Sequence, residues 1–293
     1  MRPAFLLILR HEKWILLAYS NHFQLSIFNS PLKSYFCTVK NFRQQPQSRP
    51  KKSSLVIGRE AVINALKTGK QLERIYLQQT LGAAAAGDVV KLAQQHNVPI
   101  NKVPVEKLNG FNIQNHEGCV AVISKIQYQD LQQVISFIVD KGQTPLFVIL
   151  DGVTDIRNIG AIARTAYCCG VQAIIIPDKG VGALNEDAIT TSAGALEKIA
   201  VCRVNSLMKA VDELHLNGIK VFVSEMTASA KVFDLDFSEP CAVVMGSEDK
   251  GVTPALMKIC DQNFNIPMAG NFESLNVSVA TGMILYEAMK QRL

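Results

Sequence analysis

The sequence has 293 residues and is 48% hydrophobic, which is enough apolar material for two ordinary domains. Its formal net charge of +5 is unevenly distributed, because residues 1–53 hold nine Lys/Arg and one acid, Glu12, whereas residues 54–293 hold 21 Lys/Arg and 24 Asp/Glu. Overall basicity therefore does not indicate a nucleic-acid partner, and any basic surface on the body of the chain has to be local.

Residues 1–53 form a basic segment that is unlike the rest of the chain. Its two apolar runs, 4–9 and 14–19, are shorter than the ~18 residues needed to cross a bilayer, and no small-residue cleavage pattern follows them. We expect an extension without fixed structure, which is either upstream sequence from a mis-assigned start or an organelle transit peptide. No attachment to a membrane is expected.

Residues 54–126 predict a small α/β domain, because short strand-like runs alternate with amphipathic helices. Residues 127–144 are interpreted as a linker that contains a short helix. The predicted strands are 55–57, 72–77, 100–103 and 119–123, and the predicted helices are 59–67 and 88–96.

Residues 145–293 predict a mostly parallel sheet with crossover helices. The continuous apolar strand at 146–150 is typical of a sheet that is covered on both faces. The other predicted strands are 172–176, 221–224 and 242–245, and the predicted helices are 159–169, 185–197 and 206–216, followed by a last helix that opens at Asn276. Three strands stop in short polar loops, so a ligand crevice is expected at one sheet edge.

Five polar side chains in or beside these loops are candidates for a site, namely Asn158, Arg164, Glu248, Ser274 and Asn276. Each has an ordinary explanation when it is taken alone: an ion pair for Arg164, a turn for Glu248, and helix caps for the others. Their placement at three loops of the same sheet edge favours a shared binding site.

The sequence lacks the patterns that are typical of several other classes of site. The seven cysteines form no C-x-x-C pair, so buried reduced thiols in a reducing compartment are expected and no metal site is expected. We find neither a P-loop nor the glycine fingerprint of a Rossmann fold.

Three stretches resemble the motifs of the SpoU/TrmH family of RNA ribose 2′-O-methyltransferases, in the family's order and spacing. They are Asn158-Ile159-Gly160-Ala161-Ile162-Ala163-Arg164, then Val244-Met245-Gly246-Ser247-Glu248-Asp249-Lys250-Gly251, and finally Ile266-Pro267-Met268 with Ser274-Leu275-Asn276-Val277-Ser278-Val279-Ala280. Gly58 and His116-Glu117-Gly118 are similar to the family's small substrate-binding domain, which has an L30e-like fold. The most similar subgroup methylates a guanosine ribose in bacterial large-subunit ribosomal RNA and has mitochondrial relatives.

This resemblance implies properties that patterning alone does not. The catalytic domain at 145–293 would be a trefoil-knotted SPOUT fold that binds S-adenosyl-L-methionine. The residues implied to hold this cofactor are Gly246, Ile266, Met268 and Leu275. The protein would be a homodimer with a shared active site, which Arg164 of one subunit completes for the other. The expected compartment is the cytoplasm, or the mitochondrion if residues 1–53 are a transit peptide.

The family assigns Arg164 the role of base or activator. A guanidinium with a pKa above ~12 is a poor base, so we expect Arg164 to clamp a phosphate and lower the pKa of the ribose hydroxyl. Asn158 would orient the ribose, Glu248 would fix Asn158 or Arg164, and Ser274 and Asn276 would shape the loop. The alternatives are a transfer-RNA substrate, or a non-catalytic RNA-binding factor for ribosome assembly.

Overall fold

The computed structural model describes residues 54–293, except 114, 182–183 and 271–273, together with four strands within residues 1–53. The strands form two antiparallel pairs, β1 (Phe5–Arg10) with β2 (Lys13–Ala18) and β3 (Gln24–Leu25) with β4 (Cys37–Thr38). They lie within the segment that the sequence predicts to be an extension, and the other residues of 1–53 lie outside the described part of the chain. They belong to a unit separate from residues 50–293.

The first part of residues 50–293 is a four-stranded sheet in the order β5-β8-β6-β7, parallel only between β6 and β7. Its buried core includes Val62, Ile75, Leu77, Val89 and Cys119. The predicted α/β layering is therefore confirmed, although α2 begins at Ala83 rather than at 88 because an Ala-rich turn precedes the expected start. The elements are β5 (Leu55–Ile57), α1 (Arg59–Lys67), β6 (Leu72–Gln78), α2 (Ala83–Gln95), β7 (Ile100–Val103), α3 (Val105–Asn109) and β8 (Cys119–Ile123).

The second part is an eight-stranded, wholly parallel sheet in the order β14-β16-β13-β15-β10-β11-β12-β9. Its elements are β9 (Tyr128–Gln129), α4 (Leu131–Asp140), β10 (Leu146–Asp151), α5 (Ile156–Cys168), β11 (Ala173–Pro177), α6 (Glu186–Thr191), β12 (Ala200–Val204), α7 (Leu207–Leu216), β13 (Lys220–Ser224), β14 (Ala230–Lys231), β15 (Cys241–Gly246), α8 (Pro254–Met257), β16 (Gln262–Asn265) and α9 (Val277–Arg292).

Both faces of the large sheet are covered by helices. In β10, Leu146 and Val148 join the core formed with α5, α6 and α9, whereas Phe147 and Ile149 join the core formed with α4, α7 and α8. Because both faces are buried, β10 reads as a continuous apolar run rather than as an alternating one.

Residues 127–144 are not an unpacked connection, which corrects the linker interpretation. Here β9 pairs with β12 at the sheet edge, and α4 buries Val134, Ile135 and Ile138 against the sheet. The predicted helix at 185–197 is also shorter than expected. It ends as α6 at Thr191, because Ala193 (φ 50°) and Gly194 (φ 81°) turn the backbone into a left-handed conformation before a 3₁₀ turn.

The strand order changes direction at β10, which lies between β11 and β15. The chain runs from β10 to β11 and β12 on one side and returns through β13 and β15 on the other. In open α/β sheets, ligands bind beyond the carboxyl ends of the strands at such a switch point. No helix in the described residues is long and apolar enough to cross a membrane.

Candidate active site

Three loops meet beyond the carboxyl ends of β10, β15 and β16. The register pairs Asp151 at the end of β10 with Gly246 at the end of β15, so these two loops start side by side. On the other side of β15, β13 separates it from β16. The loops that the sequence predicts as a site therefore follow strands at one edge of the same sheet.

Glu248 joins all three loops through a single carboxylate oxygen. Its Oε1 accepts hydrogen bonds from Asn158 Nδ2 at 3.2 Å, Asn276 Nδ2 at 2.5 Å and the backbone N of Val277 at 3.3 Å. Asn276 Nδ2 also lies 3.2 Å from Asn158 Oδ1. The three candidate side chains thus form one connected network, and we refer to Asn158, Glu248 and Asn276 as the Glu248 network.

Asn158 lies inside α5, not at its N-cap position. Helix α5 begins at Ile156 with Asp155 as N-cap, whose Oδ1 accepts from the backbone N of Arg157 at 2.9 Å. Hydrogen bonds from the Arg157 side chain hold the pKa of Asp155 below its ordinary value. Because Asp155 caps the helix, the Asn158 side chain is available to reach Glu248 from the first turn.

Asn276 is both a helix cap and a member of the site. Its Oδ1 accepts from the backbone N of Ser278 at 3.0 Å and of Val279 at 3.4 Å, which caps α9. Its Nδ2 makes the contacts to Glu248 and Asn158. The roles of helix cap and site residue are therefore compatible, because the amide oxygen accepts the capping hydrogen bonds and the amide nitrogen donates those of the network.

The loop that carries Glu248 is closed by its own backbone. Ser247 and Gly251 exchange hydrogen bonds of 3.2 Å and 2.9 Å, and Gly251 has a φ of 65°. A Cβ at Gly246 would overlap the backbone of Gly251 and Val252, so only glycine fits there. Asp151, which the sequence interpretation did not single out, ties this loop to β10, since its Oδ2 accepts from the backbone N of Thr253 at 2.7 Å. The sequence signal that could have identified Asp151 is an acidic residue at the end of an otherwise apolar strand.

Arg164 and Ser274 are exposed and stand outside the Glu248 network. Neither side chain makes a hydrogen bond or ion pair with another described residue. Arg164 lies on α5, whose opposite face is buried through Ile159, Ile162 and Ala163. A free guanidinium on such a helix can bind a phosphate through its fixed donors.

Of the residues implied to hold the cofactor, Gly246 ends β15 before the loop that carries Glu248, Leu275 precedes Asn276, and Ile266 and Met268 follow β16. Ile266 and Leu275 are half-buried against the core, and Met268 is 40% exposed. The backbone N–H and C=O groups of Met268 and Leu275 make no hydrogen bond to another described residue. Apolar walls with free backbone donors and acceptors fit a nucleoside-bearing cofactor. Among the residues that the structure describes, no cluster of His, Cys, Asp or Glu could hold a metal ion.

A doubly wound parallel sheet with polar loops at its switch point defines the class, a two-domain α/β protein. Residues 145–286 match the SpoU rRNA methylase family, and residues 55–129 match the RNA 2′-O ribose methyltransferase substrate-binding family. The chain belongs to the SpoU/TrmH family of RNA ribose 2′-O-methyltransferases and is a transferase.

Two bacterial relatives cover nearly all of the chain beyond residues 1–53. YacO of Bacillus subtilis, named as a TrmH family tRNA/rRNA methyltransferase, is 34% identical over 237 residues, which are 81% of this chain and 95% of that protein. A Staphylococcus saprophyticus protein with the same family description is 32% identical over 238 residues, 81% of this chain and 96% of its own length.

Two crystal structures share the fold. The SpoU methyltransferase AviRb from Streptomyces viridochromogenes, in complex with the cofactor AdoMet, has a TM-score of 0.52 at 25% identity and covers 81% of this chain and 90% of that chain. An AdoMet-bound rRNA methyltransferase from Sinorhizobium meliloti has a TM-score of 0.50 at 22% identity, covering 82% and 87% of the two chains.

Proposed function

We propose that the protein methylates the ribose 2′-oxygen of a guanosine in large-subunit ribosomal RNA, with S-adenosyl-L-methionine as methyl donor. The observation that carries this proposal is the Glu248 network, which gathers the three family motifs at one crevice. The appended substrate-binding domain favours ribosomal RNA over transfer RNA.

When bound, S-adenosyl-L-methionine supplies an electrophilic methyl group on a sulfonium centre. The chain's own task is to hold the ribose hydroxyl in line with that group and to help it lose its proton. Gly246, Ile266, Met268 and Leu275 would hold the cofactor, because apolar side chains and free peptide groups surround this side of the crevice.

Arg164 would clamp the phosphate next to the target ribose. Its positive charge would lower the pKa of the 2′-hydroxyl, and an adjacent phosphate oxygen would take the proton, since the guanidinium itself is always charged. Asn158 keeps one amide hydrogen and one lone pair beyond its contacts to Glu248 and Asn276, and these would orient the ribose. Ser274 and Asn276 would shape the loop and hydrogen-bond substrate or cofactor.

A homodimer would complete the site. Val279, Met283 and Tyr286 are exposed at i, i+4 and i+7 of α9, and Tyr167 is exposed on α5, which packs on α9. A second copy covering this apolar surface would bring its Arg164 to the crevice. Light scattering on the Met283→Asp/Tyr286→Asp variant tests this proposal: a monomer with low activity is expected, whereas an unchanged mass would remove the interface from the proposal.

The trefoil knot and the compartment are proposals from the family resemblance. The return of α9 to pack on α5 is compatible with a last helix threaded through a loop. We place the protein in the cytoplasm, with the mitochondrion as the alternative. N-terminal sequencing of the native protein separates them: a mature start near Lys52 in an organelle favours a transit peptide.

The direct cellular test is a map of 2′-O-methyl groups in ribosomal and transfer RNA from cells with and without the gene. Loss of one ribosomal ribose methyl group is expected. Loss of a transfer-RNA methyl group would support the runner-up substrate. A non-catalytic assembly factor would change neither map, and the purified protein would then bind no S-adenosyl-L-methionine.

A further inference from the structure

Glu73 is a buried carboxylate that joins the small domain to the large sheet. It lies on β6, is 4% exposed, and its Oε2 accepts from Arg203 Nη2 at 2.8 Å, the Tyr128 hydroxyl at 2.6 Å and the Ser124 hydroxyl at 3.3 Å. Its Oε1 accepts from the backbone N of Leu184 at 3.2 Å. We call these residues the Glu73 junction.

Three of the four residues that donate to the Glu73 carboxylate come from separate parts of the large domain. Arg203 is on β12, Tyr128 is on β9, and Leu184 precedes α6, so one carboxylate ties two strands and the segment before α6 to β6. The Arg203 guanidinium also lies 3.4 Å from the centroid of the Tyr128 ring and donates to the Glu73 carbonyl at 3.0 Å. A neighbouring contact joins Arg74 Nη2 to the Val181 carbonyl at 3.0 Å.

The chemistry of this junction favours one orientation of the two domains. A buried ion pair costs desolvation energy, and an apolar contact of similar size would hold two domains together at least as well. A set of directional hydrogen bonds instead allows only one arrangement without leaving a buried charge unpaired. Burial and the Glu73 charge raise the pKa of Tyr128, so its phenol stays protonated and remains a donor.

The Glu73 junction also contacts the segment before α6, and α6 packs on α5, the helix that carries Asn158 and Arg164. Leu184 is 1% exposed and comes directly before Asn185, the N-cap of α6. Helix α6 lies so close to α5 that a Cβ at Gly160 would be 2.8 Å from the Ala188 carbonyl oxygen. Displacement of Leu184 would therefore move α6 against the helix that carries Asn158 and Arg164.

We propose that Glu73 is a positioning residue, which fixes the substrate-binding domain on the catalytic domain and holds α6 against α5, so that RNA gripped by the small domain meets the Glu248 network in register. This inference rests on the proposed function, and it adds a role for residues outside the three family motifs.

The test compares wild type with Glu73→Gln, which keeps the size and one acceptor oxygen but removes the charge. On unmethylated large-subunit ribosomal RNA, the variant should bind RNA and S-adenosyl-L-methionine as wild type does. Its kcat should fall about tenfold, a size found for coupled positions. Tyr128→Phe, which removes one hydrogen bond, should give a smaller loss. A wild-type kcat for Glu73→Gln would overturn the inference.

Two controls separate positioning from a general loss of stability. Phe237→Leu weakens the core beside β13 and β16, which β15, β10 and β11 separate from β12 in the sheet, and at an equal drop in Tm it should keep its kcat. An equal fall of kcat in both variants would overturn the inference. The second control is a short RNA hairpin around the methylated site that does not reach the small domain. On this RNA the loss of kcat/KM in Glu73→Gln should be smaller than on the full RNA, because only the contact of α6 with α5, and not the orientation of the domains, then affects the reaction. An equal loss on both RNAs would show that Glu73 does not orient the domains.

Amide hydrogen exchange gives a readout that needs no activity. In Glu73→Gln, peptides covering residues 184–191 should exchange faster, whereas α7 should be unchanged. Unchanged exchange at 184–191 would overturn the inference even if the enzyme proved inactive on every RNA. A wild type that transfers no methyl group, with fast exchange in the variant, would instead contradict only the proposed function.

Discussion

Asn158 and Asn276 lie 118 residues apart in the sequence, yet both donate a side-chain amide hydrogen to the same oxygen of Glu248. One carboxylate thus couples the first turn of α5 to the N-cap of α9. Each member holds the other two, so the loops cannot move independently without breaking a charge-assisted hydrogen bond. Four predictions follow from the geometry of this network and from the burial of other groups in the chain.

Replacement of Arg164 by Ala should abolish methyl transfer and leave cofactor affinity unchanged. The loss should exceed about 100-fold, the cost of removing one donor from a developing charge. Transfer of a labelled methyl group to RNA and calorimetry with S-adenosyl-L-methionine measure the two effects. Arg157→Ala is the matched control, because that guanidinium is on the same helix but is paired with Asp155. Turnover at the wild-type level in Arg164→Ala would remove Arg164 from the mechanism.

Replacement of Glu248 by Ala should lower kcat by about ten- to 100-fold, because Asn158 loses the contact that fixes it. Glu248→Gln keeps an Oε1 acceptor and should recover much of the rate. Asp249→Ala removes the neighbouring exposed carboxylate and serves as the control. If Asp249→Ala were as slow as Glu248→Ala, loop charge rather than the network would explain the effect.

Gly160→Ala should destabilise the protein by about 1–3 kcal/mol, because the new methyl group would lie 2.8 Å from the Ala188 carbonyl oxygen and 2.9 Å from Thr191 Cβ. Gly87→Ala, in an exposed turn of α2 with nothing within 4 Å of the new methyl group, should stabilise it by about 0.5–1 kcal/mol. Urea unfolding of the two variants measures the difference. Equal effects would show that α6 does not press on Gly160.

Stability should fall at alkaline pH. Burial raises the pKa of Cys119 and of Cys202 to about 12 and that of Cys241 to about 11. Unfolded thiols ionise near pH ~8.5, so the stabilisation is complete below that pH and is lost as pH rises towards the folded values, by up to about 1.4 kcal/mol per unit and thiol. The Tm between pH 8 and 10 tests this.

A matched pair of variants assigns that slope to burial. Cys202→Ala should flatten the dependence of Tm on pH, whereas Cys168→Ala, at an exposed position, should leave it as it is. A Tm that stayed constant from pH 8 to 10 in wild type would contradict the assignment.

Much of the fold could be predicted because its signals are local. The apolar run in β10, the stripe of Ile159, Ile162 and Ala163 in α5, and the cap at Asn276 are each visible in a short window. The meeting of three loops at one edge also followed, since parallel strands place their carboxyl ends together.

The missed features depend on contacts far apart in the sequence. Strand β12 contains Arg203, a charge that breaks its apolar pattern and becomes compatible with burial only through Glu73. Strand β9 is two residues long and is defined by its pairing with β12. The true start of α5 was missed because Asp and Asn are both good N-cap residues, so Asp155 and Asn158 are equal candidates in the sequence. Only the hydrogen bond between Asn158 and Glu248, which is distant in the sequence, distinguishes the two positions.

The most direct measurement is mass spectrometry of nucleosides from large-subunit ribosomal RNA that has been incubated with the purified protein and labelled S-adenosyl-L-methionine. A network that aims a ribose at the methyl donor predicts label in 2′-O-methylguanosine alone, and none with Arg164→Ala. Label on a nucleobase, or in the Arg164→Ala reaction, would contradict the account.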